Sequence, residues 1–337
     1  MNKPQWNHQG FMELTRSFWS LRAVQSGLEL GLFTALDRGD GLKTKLEDLA
    51  KSLGAELRGL GMLVTALTAL GLLLRDGQEV GLTLEAAQYL SEKSPEYYGH
   101  ALLHQSHIMP AWLGLAQAVK TGQRVVQASA AETTSDKTRE DFLMAMYNSA
   151  RYQAAAVAEA LELGSRESLL DLGGGPGTYA LEFCLRNKNL SAVIFDLPGS
   201  EPVANKVMAK MGLADRVKFL AGDYHQEALP KPFEVVFISQ VIHQESPQGA
   251  AALVAKAAET LKKGGFLAIQ ELYLDDDLTG PIMPALFSLN MLVNTMGGQA
   301  YTFGQVEAFM KNAGLSDIHR IPAQLPPGCA ILVGHKA

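Results

Sequence analysis

The stretch LLDLGGGPGTYALEF at 169–183 reads as a short apolar strand, a tight glycine turn and the first turns of a helix. Glycines in such a turn let the backbone adopt positive φ and approach a ligand closely, and the helix that follows presents unpaired N–H groups. Gly173 and Gly175 match the start of a G-x-G-x-x-G fingerprint, but Thr178 stands at the third glycine, and the Gly-Lys-Ser/Thr of a phosphate-binding loop is absent. The turn therefore suits a ligand other than a pyrophosphate or triphosphate.

Around this turn the texture is that of a parallel α/β sheet. SLLDL, SAVIFD, RVKFLA, EVVFIS and GFLAIQE are short apolar runs separated by helical segments, and CAILVGH adds a strand expected near the sheet edge. Three of the runs end on groups that suit one ligand. Asp171 closes the first. Asp196, in AVIFDLP just before Leu197, closes the second, where an acid can accept both hydroxyls of a ribose. Asp223 and Tyr224, in AGDY, follow the third and can flank an adenine. Carboxylates around a ribose without a basic clamp suit S-adenosylmethionine, which carries a sulfonium and an amino group. The competing reading is a set of turn glycines and strand-end acids common to many α/β sheets.

The chain has 337 residues, 47% hydrophobic and 19% charged, enough apolar surface for a sizeable core. Its net charge of −6 argues against nucleic acid as a partner, because phosphate binding needs a concentrated basic face. Cys184 and Cys329 are too few for a disulfide framework. The polar MNKPQWNHQG lacks a signal-peptide core, and the apolar tract at 60–74 is too short to span a bilayer. The expected setting is the cytoplasm, without a membrane partner.

The front of the chain reads as helix. FMELTRSFWSLRAVQSGLELGLFTAL, 11–36, has apolar residues at three- and four-residue spacing and is expected to close at Gly39 and Gly41. The segment 44–90 reads helix, turn, helix and short strands around RDGQE, the order of a winged helix. Its second helix carries one arginine and is otherwise apolar, a poor surface for reading DNA, so a ligand-sensing DNA-binding regulator is the remote reading. Helices are expected over 96–125, where Pro110 should kink or end one, and over 139–163, with the small-polar stretch 127–136 between them. The division expected is 1–95, 96–160 and 161–337. His100, His104 and His107 share one helical face and can line a pocket or an interface, sit as bland histidines, or bind a metal; no metal is assigned.

DLGGGPG, FDLP, GDYHQEALP and LKKGGFLAIQE, taken in order, resemble the motifs of the S-adenosylmethionine-dependent O-methyltransferases of the plant caffeate and animal hydroxyindole type, with their bacterial relatives. FWSLRAVQSGLELGLFTAL is similar to that family's dimerisation helices. The resemblance covers nearly the whole chain. It implies a Rossmann-like methyltransferase sheet behind an all-α dimerisation region with a winged-helix-like part, and a homodimer acting on a small aromatic hydroxyl acceptor.

FEVVFISQVIHQES, 233–246, then acquires a meaning. A histidine just past the carboxyl end of a strand lies where open α/β sheets bind ligands, and it titrates in the range needed to deprotonate a phenol. His243 matches the family's base, and Glu271 matches the glutamate that orients it. The family commonly reads His-Asp-Trp here; this chain has Gln244 and Glu245 after the histidine. Ser239 takes the place of a basic residue that contacts S-adenosylmethionine, and Ala300, in GGQAYT after Gly297 and Gly298, takes the place of a second glutamate. Those departures leave C-methylation, or a cofactor-retaining enzyme that does not methylate, as alternatives. Phe142 and Met146 match the segment that clasps cofactor and acceptor. Together with His104, His107, Met283, Phe287, Asn290, Met291 and Asn294 they are the expected acceptor pocket, apolar with a few polar groups.

Overall fold

The computed structural model describes residues 6–39, 41–125, 136–230 and 232–337. Apart from the backbone of Asp136, the stretch 127–136 lies outside them. The chain divides into two compact units, Met1–His107 and Ile108–Ala337.

The front unit begins with α1 (His8–Glu29), whose first turn is capped by the Asn7 side chain accepting from Gly10 N at 2.9 Å. The helix expected over 11–36 is broken: Gly31 takes φ 69°, and α2 (Leu32–Leu36) restarts from it. Leucines continue on both sides of the glycine, so the apolar periodicity conceals the break. After β1 (Thr44–Lys45) come α3 (Leu46–Leu53) and α4 (Leu57–Ala69). β2 (Leu73–Asp76) and β3 (Glu79–Leu82) form a hairpin, with β1 on the far side of β3, and α5 (Leu84–Leu90) follows. Two helices followed by a hairpin is the order of elements read from the sequence. α4 buries Leu60, Val64 and Leu67, one helical stripe, against Leu32, Phe33 and Leu49. α6 (Gly99–Leu113) starts in this unit, where fully buried Gln25 donates to Leu102 O at 2.8 Å. Pro110 lies inside α6, which runs three residues beyond it.

The rear unit continues with α7 (Leu115–Thr121) and α8 (Asp136–Leu161). The sheet elements follow: β4 (Ser168–Leu172), α9 (Thr178–Arg186), β5 (Ser191–Asp196), α10 (Glu201–Met211), β6 (Val217–Ala221), β7 (Phe233–Ser239), α11 (Pro247–Glu259) and β8 (Leu261–Leu272). Then come α12 (Ile282–Asn294), α13 (Phe303–Asn312), β9 (Leu315–Ile321) and β10 (Cys329–Lys336). The seven strands lie in the order β6-β5-β4-β7-β8-β10-β9. The first five run parallel, but β10 is antiparallel to both β8 and β9, so the sheet is mixed rather than wholly parallel. β9 has no counterpart in the sequence reading: Ser316, Asp317, His319 and Arg320 make it too polar to stand out, which an edge strand permits.

Successive residues of a strand face opposite sides, and β4 shows the result. Leu169 joins Phe183 and Phe237 in the layer under α8, α9 and α10, while Leu170 joins Val236 and Leu253 in the layer under α11 and α13. Strand order reverses at β4, which is flanked by β5 and β7, and such a reversal opens a crevice at the carboxyl ends of the strands. Among the described residues, no helix is long and apolar enough to cross a membrane.

Candidate active site

The crevice floor is the glycine turn. Gly173, Gly175 and Gly177 all take positive φ, and a Cβ on Gly173 would sit 2.6 Å from the side chain of Val241, in the loop after β7. Two acids flank the turn. Asp171 is only 1% exposed and accepts from Ala180 N at 3.3 Å; burial, aided by the nearby Asp196, pushes its carboxyl up to about 7. Asp196 accepts from Gly175 N at 2.8 Å, and from Leu197 N and Ser200 Oγ at 2.7 Å each. Burial raises Asp196 too, against those bonds, and among the described residues no cation offsets either acid. Leu197 is exposed beside it.

The turn after β6 is different. Asp223 spends its oxygens within its own turn, accepting from His225 N at 2.8 Å and Gln226 Nε2 at 2.7 Å. The Tyr224 hydroxyl donates to Glu245 Oε1 at 2.7 Å.

His243 sits in a 3₁₀ turn, Ile242–Gln244, four residues beyond β7. It is 6% exposed, and its partner Glu271, near the end of β8, is 2% exposed. Nδ1 lies 3.1 and 2.9 Å from the two carboxylate oxygens of Glu271. A carboxylate only accepts, so Nδ1 carries the proton and Nε2 is left as the basic nitrogen. The ring stands edge-on to Phe287, centroids 4.7 Å apart. The turn is pressed from a third side: a Cβ on Gly298 would sit 2.3 Å from His243 O, so only glycine permits that approach. Beside the pair, Ser239 Oγ donates to Gln270 Oε1 at 3.2 Å. Burial lifts the Tyr179 phenol to about 12, opposed by the polar groups of these same two residues.

The expected pocket residues divide. Phe142 and Met146 are half-buried on α8, whose Leu143 lies against Gly175. Phe287 meets His243. Asn290 and Asn294 turn to one another at 3.0 Å, and Asn290 accepts from Trp112 Nε1 at 2.8 Å. Met291 is buried and Met283 exposed. His104 and His107 belong to the front unit; burial, and then the charge of His107, push His104 down to about 4. Among the described residues the group with metal-ligand spacing is Asp317, His319 and His335 on the outer strands, and the three front histidines form no such group. Ala300 is buried, its N–H on Ser288 Oγ at 3.2 Å, so no carboxylate stands there. Gln270, Tyr179 and Tyr301 have no mark in the sequence, and Glu245 stands out only as a departure from the family pattern; their partners are far along the chain.

Residues 112–316 match the model of the O-methyltransferase domain, and 12–92 match the O-methyltransferase dimerisation domain. The 3-hydroxy-5-methyl-1-naphthoate 3-O-methyltransferase of Streptomyces sahachiroi is 30% identical over 96% of this chain and 94% of its own. The tetracenomycin polyketide synthesis 8-O-methyl transferase TcmO of Streptomyces glaucescens is 30% identical over 95% of each. Human N-acetylserotonin methyltransferase, solved with S-adenosylmethionine, has the same fold, with a TM-score of 0.86 at 22% identity over 100% of this chain and 99% of its own. With the glycine turn and strand-end acids in the order the sequence implied, the chain belongs to the S-adenosylmethionine-dependent O-methyltransferase family, behind that family's dimerisation domain.

Proposed function

We propose that this chain moves a methyl group from S-adenosylmethionine to a hydroxyl of a small aromatic acceptor, with His243 as general base and Glu271 as its orienting acid. The observation that carries the reading is the buried pair: both Glu271 oxygens face Nδ1, which directs Nε2 to take the acceptor's proton. Bound at the glycine turn, S-adenosylmethionine supplies an electrophilic methyl on a positively charged sulfur. Asp171 and Asp196, raised by burial and without a cation, suit that charge, and Asp196 suits the ribose. Gly173 and Gly175 admit the close approach, with Leu197, Asp223, Tyr224 and Ser239 along the same edge. As His243 accepts the proton, Glu271 stabilises the imidazolium, and the acceptor oxygen forms its bond to the methyl carbon while the carbon–sulfur bond breaks. Holding oxygen, carbon and sulfur in line supplies much of the remaining acceleration.

The aromatic acceptor is supported by the relatives, named for a hydroxynaphthoate and a tetracenomycin polyketide, and by Phe142, Met146, Phe287 and Met291 on α8 and α12. Segment 1–95 serves dimerisation, 96–160 the acceptor side and 161–337 the cofactor. A homodimer fits the exposed Phe11, Phe18 and Trp19 of α1 within the matched dimerisation region. The buried Ala300 favours a second reading, C-methylation, because a second acid is missing beside the base.

The test is S-adenosylhomocysteine release by wild type and His243→Ala over a panel of catechols, hydroxyindoles, hydroxynaphthoates and hydroxyquinones, with the product's methyl located by NMR. Acceptor-dependent release that falls ~10²–10⁴-fold in the variant, with an O-methyl product, is the expected result. A C-methyl product selects the second reading. Full turnover without His243 removes it as the base.

A further inference from the structure

We infer that Glu245 is a positioning residue that ties the turn carrying Tyr224 to the turn carrying His243, and so sets the affinity for S-adenosylmethionine. The inference rests on the cofactor site proposed above. In the resembling family this position is commonly a tryptophan, which cannot accept a hydrogen bond through its ring nitrogen; here it is an acid, and two segments distant in sequence meet on it. Its Oε1 accepts from the Tyr224 hydroxyl at 2.7 Å and lies 3.1 Å from His225 Nε2. Its backbone O accepts from the Tyr301 hydroxyl at 2.6 Å. Its N–H closes the 3₁₀ turn of His243 by donating to Ile242 O at 3.1 Å.

The side chain is 13% exposed, so the bond to Tyr224 is largely shielded from water. Burial and then Glu245 itself raise the Tyr224 phenol, with Asp196 and Asp223 adding to the effect, so Tyr224 stays protonated and donates. The backbone of the same turn is held by Lys256 Nζ, which donates to Tyr224 O and Glu227 O. Gly249 keeps room for the carboxylate: a Cβ there would sit 2.7 Å from Glu245 Oε2. With its hydroxyl and its backbone both fixed, the Tyr224 ring has one orientation at the cofactor edge. Without Glu245 the hydroxyl loses its acceptor and the ring is free to turn.

The experiment measures S-adenosylmethionine affinity by calorimetry, and KM and kcat by turnover, for wild type, Glu245→Ala, Glu245→Gln, Tyr224→Phe, the Glu245→Ala/Tyr224→Phe double variant and Asp196→Asn. Glu245→Ala and Tyr224→Phe should each weaken the cofactor about tenfold, the size of one lost charge-assisted bond, with the loss in KM rather than kcat. Glu245→Gln keeps an accepting oxygen and should recover to within about threefold of wild type. The double variant should be no worse than either single, because both remove the same bond. Additive losses, an unchanged affinity in Glu245→Ala, or a loss confined to kcat would overturn the inference. Should Glu245→Ala not fold, Tyr224→Phe and Glu245→Gln decide it alone. If Asp196→Asn also leaves affinity untouched, the cofactor site itself is misplaced; if Asp196→Asn weakens binding and Glu245→Ala does not, only the role of Glu245 falls.

Discussion

At the ends of β4 and β5, two carboxylates stand close together with no cation beside them, among the described residues. At the ends of β7 and β8, a carboxylate and an imidazole satisfy one another. Both places lie on one edge of one sheet and both are buried, yet their electrostatics are opposite. Asp171 is pushed up to about 7 by burial, which its one bond from Ala180 N does not offset. Glu271 has a donor on both oxygens. In the function proposed above, the first place takes a positive ligand, while the second is complete already and has only to receive a proton. A sheet that binds a cationic donor and activates a neutral acceptor needs that asymmetry.

The largest expected effect comes from breaking the self-sufficient side. Glu271→Gln offers one oxygen and one N–H to Nδ1 and no charge to the imidazolium, and turnover should fall by on the order of 10²-fold or more with S-adenosylmethionine affinity unchanged. Equal loss of both would show that the two places are not separate. Next, Gly298→Ala drives a methyl into His243 O, and turnover should fall by roughly tenfold or more with folding retained, read by kcat against a circular-dichroism melt. Asp196→Asn keeps the bond from Gly175 N but weakens acceptance from the ribose, and calorimetry should show a loss of about tenfold in cofactor affinity at unchanged kcat.

The smallest effect is the most diagnostic of the empty charge. Folded Asp171 keeps its proton up to about 7, whereas the unfolded carboxyl releases it near 3.8. Between those values the folded state binds more protons, so this residue makes the ligand-free protein less stable as pH rises through the window, and the penalty is complete above it. Asp171→Asn should therefore raise the ligand-free Tm by on the order of a few degrees at pH 8 and by less at pH 5, while weakening the cofactor. Wild-type cofactor affinity should itself fall as pH drops below about 7. A flat affinity profile, or a variant that melts lower at pH 8, would show that Asp171 carries no such penalty.

Much of this was legible in the residues. Asp171, Asp196 and His243 stand where apolar runs stop, and a run that stops on a charge marks the carboxyl edge of a sheet. Glu271 took its meaning from the family pattern, because a glutamate after GFLAIQ is otherwise unremarked. What stayed hidden depends on partners far along the chain or on local capping. Asp223 reads as a ligand-facing acid in sequence, which does not show that each of its oxygens also accepts one bond within its own turn. Glu245 meets a tyrosine 21 residues upstream, and Gly298 meets His243 only after α11, β8 and α12 have returned the chain. Gly31 breaks α1 from α2 inside an unbroken run of leucine spacing, and β9 carries too little apolar pattern to read as a strand.

The antiparallel β10 has a further consequence for how the site is mounted. Ala330 pairs with Glu271 on one side, while β7, leading to His243, pairs with β8 on the other. β8 is thus held between two neighbours, with β7 pairing as far as Gln270 and β10 pairing with the acid itself. β9 touches the sheet only through β10, so the two assemble as a hairpin that docks as one piece. A cut at 328 would cost two strands instead of one and leave β8 as the new margin, with Glu271 on it. The strand farthest along the chain is therefore the outer brace of the Glu271–His243 pair.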